Sequence, residues 1–153
     1  MTSVNLLHNN LGDGAAAVVA AAKQNGNIKT LCGIEEGKTE VNLADKYLRA
    51  PDAVLLSFDL EFNRALKYAD FSFNRIGDDG TAALSEALKA NSALETLELR
   101  NNGIGAAGAQ SLAGMFQVNR ALNSVDLSDN RITGAGKQQL RDAVKGKSIT
   151  LRL

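Results

Sequence analysis

Leu94-Glu95-Thr96-Leu97-Glu98-Leu99-Arg100-Asn101-Asn102-Gly103-Ile104-Gly105-Ala106-Ala107-Gly108-Ala109-Gln110-Ser111-Leu112 changes its apolar spacing part-way along. Leu97 and Leu99 alternate with polar residues, which marks a short strand with one buried face. After Asn102 and Ile104 the spacing lengthens, and Leu112 and Phe116 stand at i and i+4 on an alanine-rich stretch that favours a helix. The same strand-then-helix pattern recurs 28 residues away on both sides. Leu66, Leu94 and Leu122 open three units, followed by Ala69, Leu97 and Val125, then Phe71, Leu99 and Leu127. Asn74, Asn102 and Asn130 come next, then Ile76, Ile104 and Ile132, then Gly80, Gly108 and Gly136. Leu84, Leu112 and Leu140, with Leu88, Phe116 and Val144, form the helical stripe, and Asn91 and Asn119 close two units where the third has Lys147.

One period earlier Val41, Leu43, Leu48, Leu56, Leu60 and Asn63 keep the register, while Lys46 and Asp52 replace the Asn and the Gly. Earlier still, Met1, Val4, Leu6, Asn9 and Leu11 fit, and Gly14, Val18 and Asn25 follow one residue early. Five units are therefore expected, at about 1–27, 38–65, 66–93, 94–121 and 122–149, with an insertion at about 28–37 and a strand stub at 150–153. In the stub, Leu153 falls on the column of Leu97 and Val125, and Arg152 on that of Ser124. A βα unit cannot bury its apolar face alone, so stacking must complete the core. The predicted fold is a single α/β domain, a solenoid with a curved parallel sheet inside and helices outside.

The pattern L-x-x-L-x-L-x-x-N-x-I-G-x-x-G-x-x-x-L-x-x-x-L-x-x-N at this spacing resembles the ribonuclease-inhibitor-like leucine-rich repeats, of the kind found in NOD-like receptors and Ran GTPase-activating proteins. The resemblance implies a horseshoe fragment that binds proteins, without naming a partner. The Asn column, Asn9, Asn74, Asn102 and Asn130, is expected to satisfy backbone groups of the stacked turns. Lys46 should interrupt it.

Composition narrows the function classes. Seventeen basic residues balance 17 acidic ones, which argues against a dedicated nucleic-acid binder. Residues 1–119 carry an acidic excess and residues 120–153 an equal basic one, so the ends differ in sign. The longest apolar run, Ala15 to Ala22, is too short to span a bilayer. A single cysteine, Cys32, excludes an intrachain disulfide and fits a reducing, cytoplasmic setting. Cys32 and His8 are too isolated in sequence to support a metal site or a nucleophile–base pair. Gly103-Ile104-Gly105-Ala106-Ala107-Gly108 matches a dinucleotide fingerprint, with Asp126 downstream. Ile104 and Gly108 are repeat positions, however, and the sister loops at 75–80 and 131–136 lack the glycine pattern. No cofactor and no metal are expected, nor is enzymatic activity.

Strand alternation selects the exposed columns. One reads Asn5, Asn42, Asp70, Glu98, Asp126, and its neighbours contribute Tyr68, Arg100 and, further along, Phe73. Asp70, Glu98 and Asp126 should form a row of like charges about 4.8 Å apart. Each neighbouring pair then costs roughly 1 kcal/mol in water, a cost that solvent screening lowers on an open face. Tyr68, Asp70, Phe73, Glu98, Arg100 and Asp126 are the candidate docking residues for a partner that places a basic side chain beside an apolar one. Phe58 and Phe62 should face outward from the second helix, either under the folded-back insertion or as a self-association patch. Lys137, Arg141 and Lys145 line the last helix, where cations also complement the macrodipole. Uncapped strand edges at both ends allow a self-assembling structural protein as the alternative, and fold analogy allows a regulator of an enzyme such as a GTPase.

Overall fold

In the computed structural model, which describes residues 3–153, helices and strands alternate along the chain. They are α1 (Gly14–Asn25), β1 (Glu40–Asn42), α2 (Ala50–Phe62), β2 (Tyr68–Asp70), α3 (Gly77–Ala90), β3 (Thr96–Glu98), α4 (Ala106–Val118), β4 (Ser124–Asp126), α5 (Gly134–Val144) and β5 (Thr150–Arg152). The strands form one parallel sheet in the order β1-β2-β3-β4-β5, and each helix packs on the next. This is an α/β repeat solenoid. Successive units superpose their register without slippage: Val41 pairs with Ala69, Ala69 with Leu97, and Leu97 with Val125.

The core follows the repeat columns. Ala69, Leu97 and Val125 from the strands, Phe71, Leu99 and Leu127 beyond them, and Leu84, Leu112 and Leu140 from the helices are all essentially buried. Three of the glycines are needed for close approach: a Cβ at Gly80, Gly108 or Gly136 would stand 2.6–2.8 Å from Cγ2 of the Ile four residues earlier. At Gly108 it would also meet Asp78 Oδ1 at 2.7 Å. Gly108→Ala should therefore destabilise the fold by about 1–3 kcal/mol, measured by urea unfolding, because Ile104 is fully buried and cannot swing away.

The two ends depart from the expected regularity. Among the described residues, unit one adds no strand to the five-stranded sheet. Its backbone bonds the insertion instead: Val4 N donates to Thr30 O (3.1 Å), Leu6 N to Leu31 O (2.8 Å), and Gly33 N to Val4 O (3.0 Å). Met1, the first apolar position of that unit, lies outside the described residues. At the other end Leu151, not Leu153, pairs with Val125, and Arg152 pairs with Asp126, not Ser124. The reason is length: α5 has 11 residues where α4 has 13. A shift of two residues preserves which side chains face the core.

Candidate binding surface

Each strand is three residues long; in β2, β3 and β4 the central side chain is buried, in the end strands β1 and β5 it is half-buried, and the flanking two open onto the outer face of the sheet. The register lines up Asn42, Asp70, Glu98, Asp126 and Arg152 in one row, and Glu40, Tyr68, Thr96, Ser124 and Thr150 in the parallel one. The expected acid row is thus formed, and Arg152 closes it with its guanidinium 3.7 Å from the Asp126 carboxylate.

Most of the row also does local work. Asp70 Oδ1 accepts from Ser72 N at 2.9 Å, Asp126 Oδ1 from Ser128 N at 2.8 Å, and Asn42 and Asn5 make the same bond to Ala44 N and Leu7 N. An Asn would serve this turn as well as an Asp, so the turn accounts for a short side-chain acceptor and leaves the negative charge unexplained. Glu98 makes no intrachain hydrogen bond or ion pair among the described residues. Partial burial, followed by the Asp126 and Asp70 charges, raises its carboxyl above the ordinary range. Tyr68 is raised for the same reasons, burial first and then Asp70, Glu98 and Glu40.

Phe73 and Arg100 lie at the edge of this face rather than on it. Phe73 follows β2 in the loop, 46% exposed, with the Arg100 guanidinium 5.3 Å from its ring centre. Arg100 is held there by Asp129, at 2.6 Å between Nη2 and Oδ2 and 2.7 Å from Nε. The candidate residues therefore form two groups, an acidic sheet row and an aromatic–cation cluster beside it.

The Asn column behaves as a ladder only where a preceding unit exists to receive it. Asn74 Oδ1 accepts from Lys46 N and Leu48 N, both 3.0 Å, while Nδ2 donates to Leu43 O and Phe71 O, both 2.8 Å. Asn130 repeats the pattern on Asn102 N, Ile104 N, Leu99 O and Leu127 O. Asn102 accepts from Ile76 N and donates to Phe71 O. Asn9 does not belong with them: it is exposed, and among the described residues its side chain bonds Leu7 O of its own turn. Asp52 partly fills the gap left by Lys46, because its carboxylate accepts from His8 N (2.8 Å) and Arg49 N (2.9 Å). A second ladder runs along the opposite turns. Asn91 donates to Leu60 O and Asn63 O, Asn119 to Leu88 O and Asn91 O, and Lys147 Nζ reaches Phe116 O in the same way. Its signal was the repeated Asn63, Asn91, Asn119 spacing.

Sequence reasoning missed Asp59 altogether. This residue, 2% exposed, occupies the column of Ala87 and Met115, and its carboxylate accepts from Leu31 N (2.7 Å), Cys32 N (3.3 Å) and the Thr30 hydroxyl. It pins the insertion onto α2, so that Leu31, Cys32 and Ile34 are buried. A carboxylate in an apolar repeat column was the readable signal. Of the two readings of the outward-facing Phe58, the structure has the folded-back insertion: Phe58 is buried at 2% exposure and lines one cavity with Ile28 and Ile34. Phe62, tilted against Phe58 at 5.0 Å, stays half-exposed beside that cavity of about 580 Å³. Burial pushes the Cys32 thiol far above its ordinary range, so it is not a reactive thiolate.

The glycine fingerprint at 103–108 already holds an anion of the chain's own. Asp78 Oδ1, from α3, accepts from Gly105 N (2.6 Å) and Gly108 N (3.0 Å), the groups that would receive a phosphate. Among the described residues, no three His, Cys, Asp or Glu side chains are placed to hold a metal ion. Among the same residues, no helix is long and apolar enough to cross a membrane.

Comparison with known proteins agrees with this architecture. Residues 62–85, 90–113 and 118–137 match the family described as Leucine Rich repeat, with starts 28 residues apart. The chain thus carries leucine-rich repeats. Among solved structures it is similar to that of Leiomodin-1 Actin-Binding Site 2, with a TM-score of 0.71 at 21% identity, covering 92% of this chain and 76% of that one. Comparison with curated proteins finds no match.

Proposed function

We propose that the chain is a non-enzymatic protein-interaction module whose concave sheet face receives a partner presenting a basic side chain beside an apolar one. The observation that carries this reading is Glu98, a carboxylate held between Asp70 and Asp126 with no partner in its own chain among the described residues. Three acids in register cost stability, and a cationic group laid along the row would remove that cost. Tyr68 in the parallel row supplies the apolar surface beside it. The leucine-rich repeats favour a binding role over catalysis, and the 28-residue pattern favours the ribonuclease-inhibitor-like subtype. Actin binding is a property of the leiomodin site; for this chain it nominates actin as a first candidate to assay.

The test is capture from a lysate of the source organism with the wild-type chain and with Asp70→Arg/Glu98→Arg/Asp126→Arg. A protein retained by wild type should be lost by the variant, with affinity falling about 100-fold or more while the circular dichroism spectrum is unchanged. Equal retention by both would refute concave recognition.

A further inference from the structure

Two exposed aromatic residues stand on left-handed backbone in adjacent loops. Tyr47 (φ 57°) is 71% exposed and Phe73 (φ 57°) is 46% exposed. The other units place His8, Asp45, Asn101 and Asp129 at the Phe73 position, also at positive φ. Asn10 holds the position of Tyr47 in unit one, at φ 50°. Those are the residue types that tolerate this conformation, whereas a bulky aromatic is strained in it. Both rings stay substantially exposed, and Phe73 makes an exposed contact with Arg100. Strain kept at an exposed aromatic points to use outside the fold.

The two loops form one seam. Asp45 N donates to Ser72 O (3.0 Å), Lys46 N and Leu48 N to Asn74 Oδ1 (3.0 Å each), and Arg75 N to Leu48 O (2.7 Å). The same seam sets the backbones of Arg49 and Arg75 side by side in a parallel bridge. Among the described residues, the side-chain cations of Lys46, Arg49 and Arg75 form no ion pair; the Asp52 carboxylate meets Arg49 through its backbone N alone (2.9 Å). Like charges are thus paired next to strained apolar rings, and no ion pair among the described residues neutralises them.

We infer that this seam binds an acidic segment of a partner protein that carries an aromatic or leucine side chain between carboxylates. The two guanidinium groups match carboxylates in fork geometry, and Tyr47 and Phe73, each two residues before one of the arginines, offer apolar surface on the same two loops. A protein segment fits better than a polyanion, because three cations on a chain of zero net charge release few counterions. The inference extends the protein-binding reading to a second surface, opposite in charge to the acid row.

Phage selection of random peptides on the immobilised full chain tests it, followed by anisotropy of the selected peptides carrying fluorescein. Enriched peptides should hold two or more acidic residues near an aromatic or leucine. Their affinity should fall about tenfold or more in Arg49→Glu/Arg75→Glu, and likewise in Arg49→Ala/Arg75→Ala should the reversal misfold. Tyr47→Asn/Phe73→Asn should weaken binding similarly while raising the melting temperature by roughly 2–4 °C, as relief of strain requires. The Asp70/Glu98/Asp126 reversal should leave these peptides bound, so failure of the concave reading stays separate. Absence of enrichment overturns the inference, as does a lowered melting temperature in the Asn variant. Enrichment of basic peptides lost only on the concave reversal also overturns it. So does tighter binding of oligo-dT or phosphatidylserine vesicles than of any peptide, abolished by the arginine reversal.

Discussion

Asp59→Ala should lower the unfolding free energy by roughly 3–5 kcal/mol and open the 28–37 insertion to protease. Removing the carboxylate strands Leu31 N and the Thr30 hydroxyl proton inside the core, while Cys32 N keeps its bond to Thr30 Oγ1 at 3.1 Å. The apolar cover of Leu31, Cys32 and Ile34 over Phe58 would loosen with them. Such a loss is a large share of the stability of a domain this size. Urea unfolding gives the first quantity, and mapping of limited-proteolysis sites gives the second; an uncut insertion with a loss under about 1 kcal/mol would refute the pinning role.

The same residue imposes a pH dependence. Burial raises the Asp59 carboxyl from 3.8 to about 6, against the hydrogen bonds that favour its ionised form. The folded state therefore holds the proton more tightly than the unfolded one. That contribution to stability is full below about pH 4 and is lost as pH rises through about 6, a change of roughly 2–3 kcal/mol. The wild-type urea midpoint should fall across this window relative to Asp59→Asn, which keeps an oxygen for Leu31 N but cannot titrate. Parallel midpoints for the two proteins would exclude Asp59 as the titrating group.

Asn102→Ala should cost about 1–3 kcal/mol, whereas Asn9→Ala should stay within roughly 0.5 kcal/mol. Asn102 is 1% exposed and joins its unit to the preceding one through Ile76 N (3.3 Å) and Phe71 O (2.9 Å), with a further bond to Arg100 O (3.2 Å). Losing the amide leaves Ile76 N buried and unpaired, while Phe71 O keeps Asn74 Nδ2 and Arg100 O keeps Phe73 N. Among the described residues, the Asn9 side chain has one exposed bond, to Leu7 O at 3.3 Å, which water replaces. Chemical denaturation of the two variants provides the comparison, and equal losses would contradict the ladder.

The contrast between these two asparagines shows where sequence reading stops. A shared column records that both turns have the same local shape, but a ladder bond needs a neighbouring unit on the receiving side. Unit one is followed by the insertion rather than by a regular repeat, and no unit among the described residues precedes it, so Asn9 does not act as Asn102 does. Asp52 illustrates the converse: it breaks the glycine column and yet supplies bonds to His8 N and Arg49 N that a glycine could not.

The 28-residue period by itself determined the parallel sheet, the helical outer layer, the buried columns and the row of Asp70, Glu98 and Asp126. Stacking of identical spacings leaves the chain no other register, and strand alternation then fixes which side chains face out. Tertiary structure alone decided the burial of Phe58, the Asp59 anchor, the shift of Arg152 into the acid row and the left-handed placement of Tyr47 and Phe73. Each of these depends on what an irregular segment, an insertion, a shortened helix or a loop, meets in space. A repeat pattern carries no information about a segment that departs from it.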